Sequence, residues 1–333
     1  MRGVTIVGAG SWGTTVASLS AASNPTTIWA RRPEVADSIN EHRKNSEYLG
    51  GFTLPYGLRA TADLVDAVSG TGTLVMAVPS HGFRSVFRQI SDSIPSDTPI
   101  VSLTKGIEQE SLATMTQIVA EEAPDHDPDR VGVLTGPNLA SEIIAGQPTA
   151  SVVAMKDQSA AHSIQAVFMG PTFRVYTNDD VAGCELGGAL KNVMAIAAGM
   201  SDGLGFGDNT KATLLTRALA ELSRLGIALG GRPETFAGLA GMGDLIATCS
   251  SDRSRNHTVG FGLAQGKRLD QVVSEMNMVA EGIKTTSSVL GLSEKTGVDM
   301  PIAYHVGQVL HAGVHPRDAV MSLMTREAKA EFG

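Results

Sequence analysis

Of 333 residues only two are cysteine, Cys184 and Cys249, and only two are tryptophan. Two thiols so far apart cannot build a disulfide framework, and they fit a reducing compartment. Histidine and cysteine nowhere recur at metal-ligand spacing: His126, His162 and His257 are scattered, so no metal site is expected. A GxSxG nucleophile elbow is also missing. Positive charge is in deficit, with 26 Lys and Arg against 34 Asp and Glu, a net charge of −8. That balance argues against a nucleic-acid partner or an anionic membrane surface. Met1–Arg2 run straight into an apolar strand too brief for a signal peptide, and no stretch is expected to reach transmembrane length. A soluble cytoplasmic protein is the expectation.

What is present is globular: 42% hydrophobic residues, 18% charged, and 37 glycines against 5% aromatics. The length suggests two domains. Residues 4–7 (VTIV) read as a strand, followed by GAGSWG (8–13) and an Ala/Ser/Thr-rich helix. This is the order a dinucleotide site needs: Gly8 for a tight turn, Gly10 for backbone approach to pyrophosphate, Gly13 for helix–strand packing. The helix N-terminus then offers free N–H groups to the phosphates. After a second strand (26–30) stand Arg31 and Arg32, where an acidic residue would serve the ribose of NAD. Two guanidiniums suit the 2′-phosphate of NADP, so NADP(H) is the expected cofactor, with NAD(H) as the alternative.

Further strands are read at 73–78, 100–104, 131–135, 149–155 and 173–177, with helical patterns between most of them. The expected fold is α/β: a Rossmann-like, doubly wound, mainly parallel sheet over residues 1–178, then an all-helical domain over 179–333. Ligands of such sheets lie beyond the carboxyl ends of the strands. Ser80, Lys105 and Gly136–Asn138 fall there.

Asn178–Asp179–Asp180 offers a cap for a helix over 182–203 that is apolar nearly all round, yet holds Glu185 and Lys191. A lysine in such a helix must be paired, near water, or chemical; taken alone, it reads as a snorkelling side chain. A second helix (209–229) places Thr210, Arg217, Glu221 and Arg224 on its more polar faces. Then come Gly238, Gly241, Gly243 and Asp244, and Ser254–Arg255–Asn256 opening another helix. Ser and Asn donors, an Arg fork and a helix N-terminus together make an anion site, although Ser254 and Asn256 also read as helix caps. Two lysines converging on one carbonyl would lower each other's pKa. The chemistry suggested is reduction of a ketone on a phosphorylated small molecule, with lysine protonating the developing alkoxide.

GAGSWG, AVPS, SLTKGIE, GPNLASE, ELGGALKNVMAIAAG, TFAGLAGMGDLIATC, SRN and VAEG together resemble the bacterial-type NAD(P)-dependent glycerol-3-phosphate dehydrogenases, from about residue 3 to 326. The resemblance implies a 6-phosphogluconate-dehydrogenase-like helical domain and a homodimer. It also implies interconversion of dihydroxyacetone phosphate and sn-glycerol 3-phosphate for phospholipid synthesis. By the same resemblance Ser11, Trp12, Arg31, Arg32, Lys105, Ala140, Arg255, Val279 and Glu281 hold the cofactor. Lys191 is then the acid–base group, and Lys105, Gly136, Asn138, Asp244, Ser254, Arg255 and Asn256 bind substrate with it. Asn138 departs from the Ser or Thr usual there. Gly187 and Gly188 are read as leaving room beneath nicotinamide and substrate. The rival readings are a ketopantoate reductase or β-hydroxyacid dehydrogenase, and a non-catalytic NADP(H) sensor.

Overall fold

Val4–Val7 forms strand β1, and all four residues are buried. A strand with no polar face belongs in a sheet covered on both sides. The computed structural model describes residues 3–276, 280–328 and 330–331. In it β1 is joined by β2 (Thr26–Trp29), β3 (Leu58–Thr61), β4 (Thr73–Met76), β5 (Ile100–Ser102), β6 (Val131–Thr135), β7 (Thr149–Ala154) and β8 (Phe173–Asn178). Their spatial order is β3-β2-β1-β4-β5-β6-β7-β8. All neighbours are parallel except β6 and β7. Strand order reverses between β1 and β4, which places the ligand crevice at their carboxyl ends. Edge strand β3 escapes the sequence reading because four residues with only alternate burial give little signal.

The second half is helical. Asp180 accepts a hydrogen bond from Gly183 N–H at 2.9 Å and so caps the helix Val181–Gly203. By length and hydropathy this helix could cross a membrane, contrary to the sequence expectation, but 83% of its most apolar window is buried. It is the core helix of the helical domain. Its small residues serve close crossings: a Cβ on Gly199 would lie 2.0 Å from the His257 carbonyl oxygen, and one on Gly260 1.9 Å from that of Ile196. Gly187 and Gly188 have the same explanation, which corrects the reading that they leave room for ligand. A Cβ on Gly187 would lie 2.6 Å from the Ala240 carbonyl oxygen, and one on Gly188 2.8 Å from Thr135 Oγ1.

The sheet and the core helix are tied directly. The Glu185 carboxylate, 4% exposed, accepts hydrogen bonds from Thr116 N–H (3.0 Å) and Thr116 Oγ1 at the start of the helix Met115–Glu122. Burial pushes its carboxyl above the ordinary range, against the pull of these donors.

Glu221, expected on a polar face, is buried instead. From the helix Asp208–Ala228 its carboxylate accepts the Ile302 N–H at 2.9 and 3.1 Å, at the first turn of the helix Pro301–Ala312. A carboxylate there satisfies orphan amides and meets the positive end of the helix dipole. Burial pushes this carboxyl up to about 7. The folded chain therefore binds more protons than the unfolded chain between about pH 4.5 and 7, so stability falls as pH rises through that window. Glu221→Gln is expected to flatten this decline by about 3 kcal/mol between pH 4.5 and 8, in urea unfolding at a series of pH values. An unchanged slope in the variant would reject the assignment.

Candidate active site

The crevice begins at the glycine turn. Gly8 has φ +120°, and a Cβ there would lie 2.6 Å from the Ala77 carbonyl oxygen. A Cβ on Gly13 would approach the Gly8 carbonyl oxygen to 2.1 Å, whereas one on Gly10 would meet no atom within 4 Å. The turn is thus closed against the sheet and open at Gly10. The helix Ser11–Ala21 starts here with no side-chain cap, and a helix N-terminus of this kind suits an anion. Trp12 Nε1 beside it is buried without a partner. Asn45 braces the turn by donating to the Ala9 carbonyl (2.9 Å) and Thr14 Oγ1 (2.8 Å), and Ser11 Oγ donates to the Tyr48 carbonyl at 3.2 Å. An open glycine and a helix N-terminus fit the pyrophosphate of a dinucleotide. Arg31 and Arg32 follow β2 and are exposed; Arg32 is paired with Glu47.

Across the crevice, two lysines share one carboxylate. Lys105, past the end of β5, donates to Asp244 Oδ2 at 2.6 Å and to the Gly136 carbonyl at 2.9 Å. Lys191, from the middle of the core helix, lies 3.2 Å from Asp244 Oδ1 and donates to Thr248 Oγ1 (2.7 Å) and Asn192 Oδ1 (3.2 Å). Side-chain exposure is 17% for Lys105, 5% for Lys191 and 2% for Asp244, so the snorkelling reading of Lys191 does not hold. Burial pushes the Lys105 ammonium down to about 8; Asp244 opposes that shift and the charge of Lys191 adds to it. Gly136, at φ +132°, turns its carbonyl toward Lys105. Asn138 two residues on has both side-chain polar atoms buried without partners. A five-residue π-helical turn, Leu239–Gly243, leads directly into Asp244. Such turns distort a helix enough to re-aim the residue that follows.

The expected anion residues stand beside this centre. Ser254 caps the helix Arg255–Ala264, accepting from His257 N–H at 3.3 Å. Asn256 does not cap its own helix: it donates to Asn192 Oδ1 (2.9 Å) and accepts from Gly282 N–H (2.9 Å) in the first turn of the helix Glu281–Thr296. Asn192 in turn donates to the Lys105 carbonyl at 2.8 Å, so one chain of amides joins both lysines to the anion helix. Arg255 keeps accessible surface although enough protein surrounds its guanidinium to lower its pKa by desolvation, as for a residue lining a cleft; Glu281 opposes the shift. The Glu281 carboxylate accepts from Ser80 N–H (3.1 Å) and Ser80 Oγ at the start of the helix Ser80–Arg88. His257 is paired with Asp202 at 2.8 Å, which anchors the anion helix from behind.

Lys105, Lys191, Asp244, Gly136 and Asn256 are therefore one connected cluster, with Ser254 and Arg255 on the adjoining helix. Ala140 opens the helix Ala140–Ile144, and its carbonyl accepts from Thr15 Oγ1 at 3.4 Å, beside the glycine-turn helix. Val279 lies outside the described residues. Thr248 and Asn192 are members that the sequence reading missed. Thr248 was findable, lying four residues after Asp244 on one helix face; its hydroxyl donates back to Asp244 Oδ1 at 3.1 Å. Among the described residues no group of three or more His, Cys, Asp and Glu could hold a metal ion.

A glycine turn at a topological switch point, with paired buried lysines beyond the strand ends, is the arrangement of a two-domain oxidoreductase. The family model described as NAD-dependent glycerol-3-phosphate dehydrogenase, N-terminus, matches residues 3–161, and that for its C-terminus matches residues 180–321. The chain belongs to the NAD-dependent glycerol-3-phosphate dehydrogenase family. A glycerol-3-phosphate dehydrogenase (NAD(P)+) of Sphingopyxis alaskensis is 53% identical over 92% of this chain and 91% of its own length. One from Geobacter sulfurreducens is 49% identical over 98% of both. The crystal structure of glycerol-3-phosphate dehydrogenase from Coxiella burnetii superposes with a TM-score of 0.93 at 35% identity, covering 98% of this chain and 99% of that one. Dependence on NAD(P) follows for this chain.

Asp244→Asn would leave two buried ammonium groups without a counter-charge, a change that costs about 3–5 kcal/mol. The Lys105 pKa, lowered by folding, means that the unfolded chain binds more protons between roughly pH 8 and 10.5, so stability there rises with pH. The deficit of the variant, read by urea unfolding, is expected to shrink from pH 7 to pH 10. A deficit independent of pH would place its cause in packing.

Proposed function

We propose that the protein reversibly reduces dihydroxyacetone phosphate to sn-glycerol 3-phosphate and prefers NADP(H). The observation that carries this reading is the pair of lysines sharing Asp244, set between the strand ends and the Ser254–Asn256 helix start. Lys105 donates two hydrogen bonds to protein acceptors and has three N–H groups, which leaves one for a substrate oxygen, whereas Lys191 meets Asp244, Thr248 and Asn192 and would exchange one of them for it. Lys191 donates its proton to the ketone oxygen as the alkoxide develops and takes it back in the oxidation direction. Lys105 lends positive charge at the same oxygen. Ser254, Arg255 and Asn256 receive the phosphate, through hydroxyl, guanidinium and amide groups at a helix N-terminus. Gly136 and Asn138 position the glycerol moiety, for which the unpartnered Asn138 amide offers both a donor and an acceptor.

When bound, the dinucleotide supplies or accepts the hydride. Gly8, Gly10, Ser11, Trp12 and Gly13 would hold its pyrophosphate side, and Arg31 and Arg32 its 2′-phosphate. Lys105, Ala140, Glu281 and Arg255 would face the nicotinamide side. Residues 1–178 then form the cofactor domain and 179–333 the substrate domain. Two free buried thiols, Cys184 and Cys249, support a cytoplasmic setting, and a homodimer is the usual soluble oligomer. The product would feed phospholipid synthesis.

A matrix of NADPH or NADH against dihydroxyacetone phosphate or ketopantoate tests the reading; faster turnover of ketopantoate would overturn it. Binding of NADPH without turnover of either substrate would favour a sensor. Lys191→Ala is expected to lower kcat about 10²–10⁴-fold while leaving dinucleotide affinity unchanged. Arg255→Ala is expected to raise the KM for the phosphate substrate roughly 10–100-fold, as a lost charge-assisted bond would.

A further inference from the structure

The ribose end of the cradle holds a carboxylate that a phosphate-binding site does not need. Arg32 stands three residues past the end of β2, where the adenine ribose lies in folds of this kind. Its guanidinium is paired with Glu47, both side chains being part exposed. Glu47 sits on the short helix Ser46–Leu49, and this segment is fixed to the glycine turn from both ends. Asn45, 1% exposed, bonds Ala9 and Thr14, and the Tyr48 carbonyl accepts from Ser11. Glu47 is therefore held beside the cradle by buried contacts that its own charge does not supply. The other groups facing the guanidinium are Glu34 and Tyr48, with Arg31 nearby.

We propose that Glu47 sets the cofactor preference of this enzyme by holding the guanidinium that would otherwise meet the 2′-phosphate. This rests on reading Arg31 and Arg32 as the 2′-phosphate site. A ligand with a 2′-phosphate must share the Arg32 guanidinium with Glu47 or displace it, and bring its negative charge close to the Glu47 carboxylate. A ligand with a bare 2′-hydroxyl leaves the pair intact, and an acidic side chain at this end of the fold is the usual partner of that hydroxyl. Presenting an arginine and a carboxylate together lets one site accept both NADP and NAD, with the phosphate preference blunted. An exposed pair of this kind is weak, so the effect is a matter of a few-fold.

Calorimetric titration of the protein with 2′,5′-ADP and, separately, with 5′-ADP tests the proposal without turnover. For Glu47→Gln, 2′,5′-ADP is expected to bind about three- to tenfold tighter, with 5′-ADP moving less than twofold. The NADPH to NADH ratio of kcat/KM should rise by a similar factor. Glu47→Asp, which keeps the charge, should stay near the parent, and in an Arg32→Gln background Glu47→Gln should lose most of its effect. Unchanged or weaker binding of 2′,5′-ADP to Glu47→Gln, or equal tightening of both nucleotides, would overturn the proposal. If the parent binds 5′-ADP but gains nothing from the 2′-phosphate, and Arg31→Gln/Arg32→Gln changes neither titration, the reading of the arginines as a phosphate site falls instead.

Discussion

One carboxylate between two ammonium groups sets the terms for the rest of the molecule. Asp244 lies 2.6 Å from Lys105 and 3.2 Å from Lys191, and its own side chain is 2% exposed. Buried charges are tolerated only when they are paired and hydrogen-bonded. Here the count leaves a surplus, since two ammonium groups and one carboxylate sum to one positive charge. An uncompensated charge is a liability in a resting core and an advantage where negative charge develops during a reaction. Thr248, Asn192 and the Gly136 carbonyl accept three of the other N–H groups, and each is fixed by a different element.

The core helix Val181–Gly203 is shaped by this requirement. Lys191 has to emerge at mid-helix beside Asp244, so the helix must pass close under the ends of β5 and β6. Gly188 permits that approach, Gly187 lets the π-helical turn come close, and glycines at 199 and 260 let the helix Arg255–Ala264 lie against it. Lys105 and Asp244 arrive from the sheet side and from the π-helical turn, respectively. The placement of each lysine is a consequence of backbone packing more than of local side-chain preference.

Much of this was readable in the linear chain because it depends on short-range physics. The strand, glycine turn and helix at 4–21 follow a fixed order, and a lone lysine in an apolar helix announces itself. What could not be read depends on long-range packing. Asn192 adjoins Lys191 in sequence, and neighbours on a helix do not ordinarily face one another, yet its amide spans from Lys191 to Lys105 to Asn256. Glu221 reads as a surface residue until the N-terminus of a distant helix is found against it. Gly187 and Gly188 read as ligand clearance because the sequence does not name their neighbours, Ala240 and Thr135. Edge strand β3 is too short for periodicity to declare it.

Three of the ties between the halves are directional hydrogen bonds. Glu185 accepts from the first turn of the helix Met115–Glu122, Glu281 from the first residue of the helix Ser80–Arg88, and the Asn192 amide donates to the Lys105 carbonyl. Two of the three place a carboxylate from the helical half on a helix N-terminus of the sheet half, where orphan amides and the helix dipole favour it. Such contacts are directional, so they fix orientation as well as proximity. A catalytic group held within a few tenths of an ångström needs that directionality, because apolar packing alone tolerates sliding. The position of Lys191 relative to the cradle is thus determined by polar contacts flanking it at residues 185 and 192 of the same helix. Chemistry and domain docking are joined there in eight consecutive residues.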